Sequence, residues 1–199
     1  MISGLMKNTK HIIILIILLT GMPVILQAAE NDLSARMASL AHKTSREAFF
    51  TEERHASYLS SALKTQGRLR AIPPDRLEKI IVAPEPITQV ITGNNIIQSR
   101  NGVTLKEISL DEVPALSVAI NTLRAVVFGN MKYLQKTFTY EYKTHAQDWS
   151  LLLVPLNKQI KKQLKSIKVI GSNDNISEFL VTDANGDFSK TRLYEHEKK

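Results

Sequence analysis

The sequence predicts an α+β fold: a curled, incomplete antiparallel β-barrel of about ten or eleven strands, with helices covering its concave face. Three observations predict it. From residue 48 onward apolar residues mostly recur with period two, in short runs separated by Gly, Pro and Asn turn signals. One stretch in mid-chain, Leu116–Val127, switches to helical spacing. Two Asn-Gly pairs, Asn101-Gly102 and Asn185-Gly186, join consecutive runs by the tight turns that make neighbouring strands antiparallel. A sheet this wide must curl, and one that curls without closing leaves a concave apolar face for helices to cover.

The elements follow in chain order. Residues 1–29 read as a cleaved secretory signal. Lys7 and Lys10 form a positive start, an apolar run follows from Ile12 to Leu26, Gly21 and Pro23 break it, and Ala28-Ala29 precede the polar Glu30-Asn31. The apolar run is short for a ~30 Å hydrocarbon core. A Sec-type signal implies the periplasm. Residues 30–199 then form one domain with a single core. Leu33, Met37, Leu40 and Ala41 mark a short amphipathic helix that Asp32 or Ser34 can cap. Strands are expected at 48–54, 67–72, 77–83, 87–92, 96–100 and 103–110. The mid-chain helix ends near Gly129-Asn130. Five more strands are expected at 137–143, 148–154, 166–170, 177–182 and 188–194.

Composition excludes several chemistries. There is no cysteine, hence no disulfide, thiolate metal site or lipid-bearing cysteine after the signal. The net charge is +7, two of it from the signal lysines. The basic residues are scattered without interleaved aromatics, so no nucleic acid partner is expected. His11, His42, His55, His145 and His196 show no zinc spacing, and the chain holds no nucleophile elbow or phosphate-binding glycine loop. No catalytic group, metal or cofactor is expected.

Three features invite a functional reading beside a structural one. Asp183, Asn185 and Asp187 alternate as in a calcium loop, but Gly186 stands fourth and no Glu stands twelfth, so a hairpin turn explains them better. Lys158, Lys161, Lys162, Lys165 and Lys168 cluster after Pro155. They read first as a solvated connection, and second as a docking surface for lipid head groups or an acidic membrane partner. Trp149, Leu151 and Leu153 share one strand face, and Phe138, Tyr140 and Tyr142 another. Core packing is the plainer reading of both, and cavity lining the alternative.

The order of these elements resembles the LolA-like family of periplasmic outer-membrane lipoprotein carriers. Ala48-Phe49-Phe50-Thr51-Glu52 is similar to the family's A-S-F-T-Q first-strand motif. Gly67, Leu69, Pro74, Leu77, Pro84 and Gly93 follow the family's sequence of strand glycine, R-P turn, aromatic strand residue, proline turn and S-D-G hairpin, and Ile96-Ile97 fall where the family has L-W. Residues 148–155 resemble its hydrophobic run ending in Pro. The resemblance implies a half-open barrel with a helical lid, no enzymatic activity, and acyl chains as cargo. It also implies an inner-membrane exporter and an outer-membrane acceptor as partners. Pro73 stands where the family has its lid-binding Arg, Leu77 replaces Phe, and Lys79 replaces an aromatic residue.

An acyl chain in water costs about 0.8 kcal/mol per methylene, so a carrier must bury it yet release it. Phe50, Leu69, Leu77, Ile81, Ile91, Ile97, Leu123 and Trp149 are the expected cavity lining, with the helix around Leu116–Phe128 as lid. A one-residue register slip would exchange the inward and outward sets. A monomer is expected. Rival readings are a lipid-sensing module that regulates an envelope partner without transfer, a lipid hydrolase, and a structural protein with a filled core.

Overall fold

The computed structural model describes residues 24–42 and 47–195, with side chains from residue 32. Residues 1–23, which carry most of the expected signal, lie outside the described residues. Helix α1 (Val24–Ala41) comes first, then β1 (Glu47–His55), β2 (Leu63–Ile72), β3 (Arg76–Ala83), β4 (Ile87–Thr92), β5 (Asn95–Arg100) and β6 (Val103–Ser109). A 3-10 turn (Leu110–Glu112), α2 (Pro114–Phe128) and α3 (Met131–Thr137) interrupt the strands. They resume as β7 (Phe138–His145), β8 (Asp148–Pro155), β9 (Leu164–Ser172), β10 (Asn175–Asp183) and β11 (Phe188–Tyr194), with the one-turn α4 (Lys158–Lys161) between β8 and β9.

All eleven strands join one antiparallel sheet in the order β6-β5-β4-β3-β2-β1-β11-β10-β9-β8-β7. Strands β1 and β11 meet at its middle, while β6 and β7 are its unpaired margins, so the barrel does not close. Turn chemistry fixes the register. Asn101 and Gly102 both take positive φ, 50° and 80°, as a type I′ hairpin requires. In the β10–β11 turn the amide of Asp187 bonds to the Asn185 Oδ1 and that of Gly186 to the Asp183 carbonyl, which is hairpin geometry.

Because every neighbour is antiparallel, the connections fall at two ends. The turns at 73–75, 93–94 and 173–174 form the upper end. The connections at 56–62, 84–86, 101–102, 156–163 and 184–187 form the lower end.

The concave face is filled on one side only. Trp149, Leu151 and Leu153 of β8, Ile167 and Val169 of β9 and Phe179 of β10 pack against Leu33, Met37 and Leu40 of α1, Ala125 and Val126 of α2 and Leu134 of α3. Burying such a side chain fully stabilises by about 1.5–3 kcal/mol, so this half holds most of the core. A smaller cluster, Leu77, Ile96, Leu110 and Ile120, joins the other half to α2. Helix α2 starts with Pro114 at its first turn and ends at Gly129, φ 73°. A methyl group on Gly129 would meet the Met37 carbonyl oxygen and the Ala41 Cβ, both at 2.6 Å, so glycine lets α1 and α2 touch.

Three helical features differ from the sequence reading. Helix α1 begins at Val24, within the segment assigned to the signal, and not near Leu33. Helix α3 occupies residues given no element, because two turns with only Leu134 fully buried leave no apolar period to read. Helix α4 sits inside the lysine-rich connection, closed by the Asn157 side chain, which accepts from the amides of Gln159 and Ile160.

Candidate functional site

Between the unfilled half of the sheet and α2 lies a hollow of about 1110 Å³. Its apolar wall comes from alternate residues of successive strands, since every second side chain faces inward. Leu69 and Ala71 of β2 stand beside Leu77 and Ile81 of β3, and Ile91 of β4 beside Ile96 of β5 and Ile108 of β6. Ala115, Ala119, Ile120 and Leu123 of α2 roof it.

The floor near the sheet's middle is polar. The Lys79 Nζ donates to both carboxylate oxygens of Glu52 at 2.9 Å, and the Thr191 Oγ1 donates to the Glu52 Oε2 at 2.8 Å. Both partners are four-fifths buried, with 20% of each side chain exposed. Burial by itself raises the Glu52 carboxyl, but the Lys79 charge, the hydrogen bonds from Lys79 and Thr191 and the nearby Arg54 outweigh it and hold it below the ordinary range. Toward the lower end Asp183 is pushed upward, by burial first and by Asp187, against the pull of Arg54.

The Arg124 side chain ties the roof to the sheet. The Arg124 Nε donates to the Asp75 carbonyl at 2.7 Å and its Nη1 to the Gly93 carbonyl at 2.8 Å. These are two upper-end turns. The position before the turn proline is Pro73, so the tie that the family resemblance places on the sheet is made here from the helix. Burial lowers the Arg124 pKa, though Asp75 opposes this. Helix α1 is held at the same end, where the Arg36 Nη1 donates to the Asn173 carbonyl and the Asp174 Oδ1, both at 2.8 Å.

The expected lining residues divide as follows. Leu69, Leu77, Ile81, Ile91 and Leu123 face the hollow. Ile97 does not, being 40% exposed on the convex face. The Gly93-Asn94 turn pairs Ile91 with Ile96 and Val90 with Ile97, so Ile91 and Ile97 point to opposite faces. Trp149 belongs to the solid half: it is 2% exposed, packs in the α1 core, and its Nε1 donates to the Asn173 carbonyl at 2.9 Å. Phe50 faces the same side as the hollow but is buried, its ring under the Lys79 ammonium at 5.1 Å. Sequence reasoning missed Ile96, Ile108 and the Glu52–Lys79–Thr191 group. The two-residue turn fixes Ile96 once Ile91 is taken as inward. The polar group carried no signal, because its members lie 27 and 139 residues apart.

The profile of the family described as "Outer membrane lipoprotein carrier protein LolA-like" matches residues 27–196. No curated protein matches the chain. Among solved structures, MucB superposes with a TM-score of 0.50 at 11% identity, over 84% of this chain and 58% of MucB. A LolA superfamily protein from Nitrosomonas europaea gives 0.43 at 9% identity, over 85% of this chain and 94% of its own. The lipoprotein LppX from Mycobacterium tuberculosis gives 0.44 at 8% identity, over 85% and 98%. This chain therefore spans little more than half of MucB, and identities this low speak to the fold alone. The profile match covers nearly all of the described residues, and the unclosed eleven-strand sheet with its helical roof agrees with it: the chain is a member of the LolA-like outer membrane lipoprotein carrier family.

Proposed function

We propose that this protein is a periplasmic carrier that holds acyl chains of a lipid or lipoprotein in the roofed hollow and moves them from the inner to the outer membrane. The observation that carries this reading is the hollow itself. At about 1110 Å³ it is at or above the ~300–1,000 Å³ of ordinary ligand pockets. Its wall of Leu69, Leu77, Ile81, Ile91 and Ile96 replaces water around a hydrocarbon tail, at about 0.8 kcal/mol per methylene. The reading needs no bond-breaking chemistry, only a roof that opens. Export by residues 1–29, an inner-membrane donor and an outer-membrane acceptor belong to the same proposal.

Native mass spectrometry of the mature protein tests occupancy, and the expected result is a co-purifying species with one or more acyl tails. Leu77→Glu sets a carboxylate in the apolar wall, and Ala119→Trp fills the space from the roof. Both variants are expected to lose at least tenfold in lipid affinity, a ~1.4 kcal/mol effect. Folding is followed separately by circular dichroism. Undiminished lipid retention by both folded variants would count against this hollow. Tight binding without movement between donor and acceptor vesicles would favour a lipid-sensing module instead.

A further inference from the structure

The lysine-rich connection between β8 and β9 is not used by the hollow. We infer that it docks the lower end of the protein on an anionic lipid surface. From Leu156 to Ser172 the chain carries five lysines and no acidic residue. Ile160 of α4 packs against the core, while Lys158, Lys161, Lys162 and Lys165 are exposed. None of these four takes part in an ion pair among the described residues. A folded surface usually mixes charges of both signs. Four unneutralised ammonium groups within eight residues therefore make a local positive field.

The position gives that field a partner. The Ala184 amide bonds to the Gln163 carbonyl at 3.0 Å, and Leu164 pairs with Asp183. Leu164 and Asp183 both border the hollow. The lysines thus flank its lower end, the end away from the two arginine ties. Leu156, 46% exposed, stands beside them, and at the same end Tyr58 on the β1–β2 connection and Leu63 at the start of β2 are exposed. Lysines beside exposed apolar side chains suit an anionic bilayer, where head groups meet the ammoniums and Leu156 reaches the acyl boundary. Of the acidic groups at this end, Asp183 lines the hollow, Asp187 accepts from the Ser57 amide at 2.9 Å, and Glu85 is paired with Arg100.

Co-sedimentation with vesicles tests this without any transfer step, so its failure leaves the hollow's role untouched. Vesicles of phosphatidylglycerol and phosphatidylcholine in equal parts are compared with phosphatidylcholine alone, at ~0.05 M and ~0.5 M salt. The wild type is expected to bind the anionic vesicles at low salt and to be released at high salt. K158Q/K161Q is expected to weaken binding roughly 10- to 25-fold, about fivefold per lysine. K106Q/K143Q, which removes the same charge elsewhere, is expected to change it less than about twofold. Equal losses in the two pairs would reduce the effect to net charge and overturn the proposal. So would binding that ignores vesicle charge, or no binding to anionic vesicles.

Discussion

At the scale of single residues, the least expected group is the Glu52–Lys79 pair on the floor of a greasy hollow. Its electrostatics give a signed prediction. Folding holds the Glu52 carboxyl below its ordinary 4.5. The stabilisation is therefore complete above that value and is lost as pH falls through the lower folded value. The wild-type melting temperature should drop on acidification in that window, and Glu52→Gln should remove this part of the slope. Lys79→Met leaves the burial penalty on the carboxylate, which is the largest influence there, without its main counterweight. The variant should lose about 1–3 kcal/mol at neutral pH, less than a fully buried pair would cost. Its Glu52 pKa, followed by NMR, should lie above the wild-type value. At this scale the sequence was legible where the backbone decides. Asn101-Gly102 took the two positive φ angles that the dipeptide announces. It was not legible where partners meet across the sheet, since nothing local in Glu52 points to Lys79 or Thr191.

At the scale of elements, the strands were the readable part. All eleven expected strands are present, with ends displaced by a few residues, because alternation and turn residues report directly on a half-buried ladder. The facing of Ile97 failed for a reason that lay in the sequence: a two-residue turn after Thr92 makes Ile96, not Ile97, the partner of Ile91. Trp149 failed for a reason that did not. Its strand face is the inward one, and only the placement of α1 determines that this part of the face is packed solid. Helix α2 yields its own prediction. Arg124→Gln removes charge-assisted hydrogen bonds to two turn carbonyls and should loosen the roof by about 1–3 kcal/mol. Hydrogen exchange of the α2 amides should accelerate correspondingly, and bound lipid should leave faster. Little change in global melting temperature is expected, because the larger core does not involve that side chain.

At the scale of the whole molecule, one sheet carries two regimes. Strands β7–β9 are clamped under three helices, whereas β2–β6 look onto the hollow, which also reaches β1, β10 and β11. Local opening free energies follow buried apolar contact, so native-state hydrogen exchange should be slowest in β8 and β9 and fastest in β5 and β6. Uniform protection across all eleven strands would show that the hollow costs the sheet nothing. The unjoined margins carry a further consequence. A sealed barrel has a girth dictated by strand number and stagger. Here β6 and β7 never meet, so the circumference can widen or tighten by a change of twist with every rung of the ladder intact. Under the carrier function proposed above, slender and bulky tails share one container, whose capacity is set by bending rather than by a fixed mould.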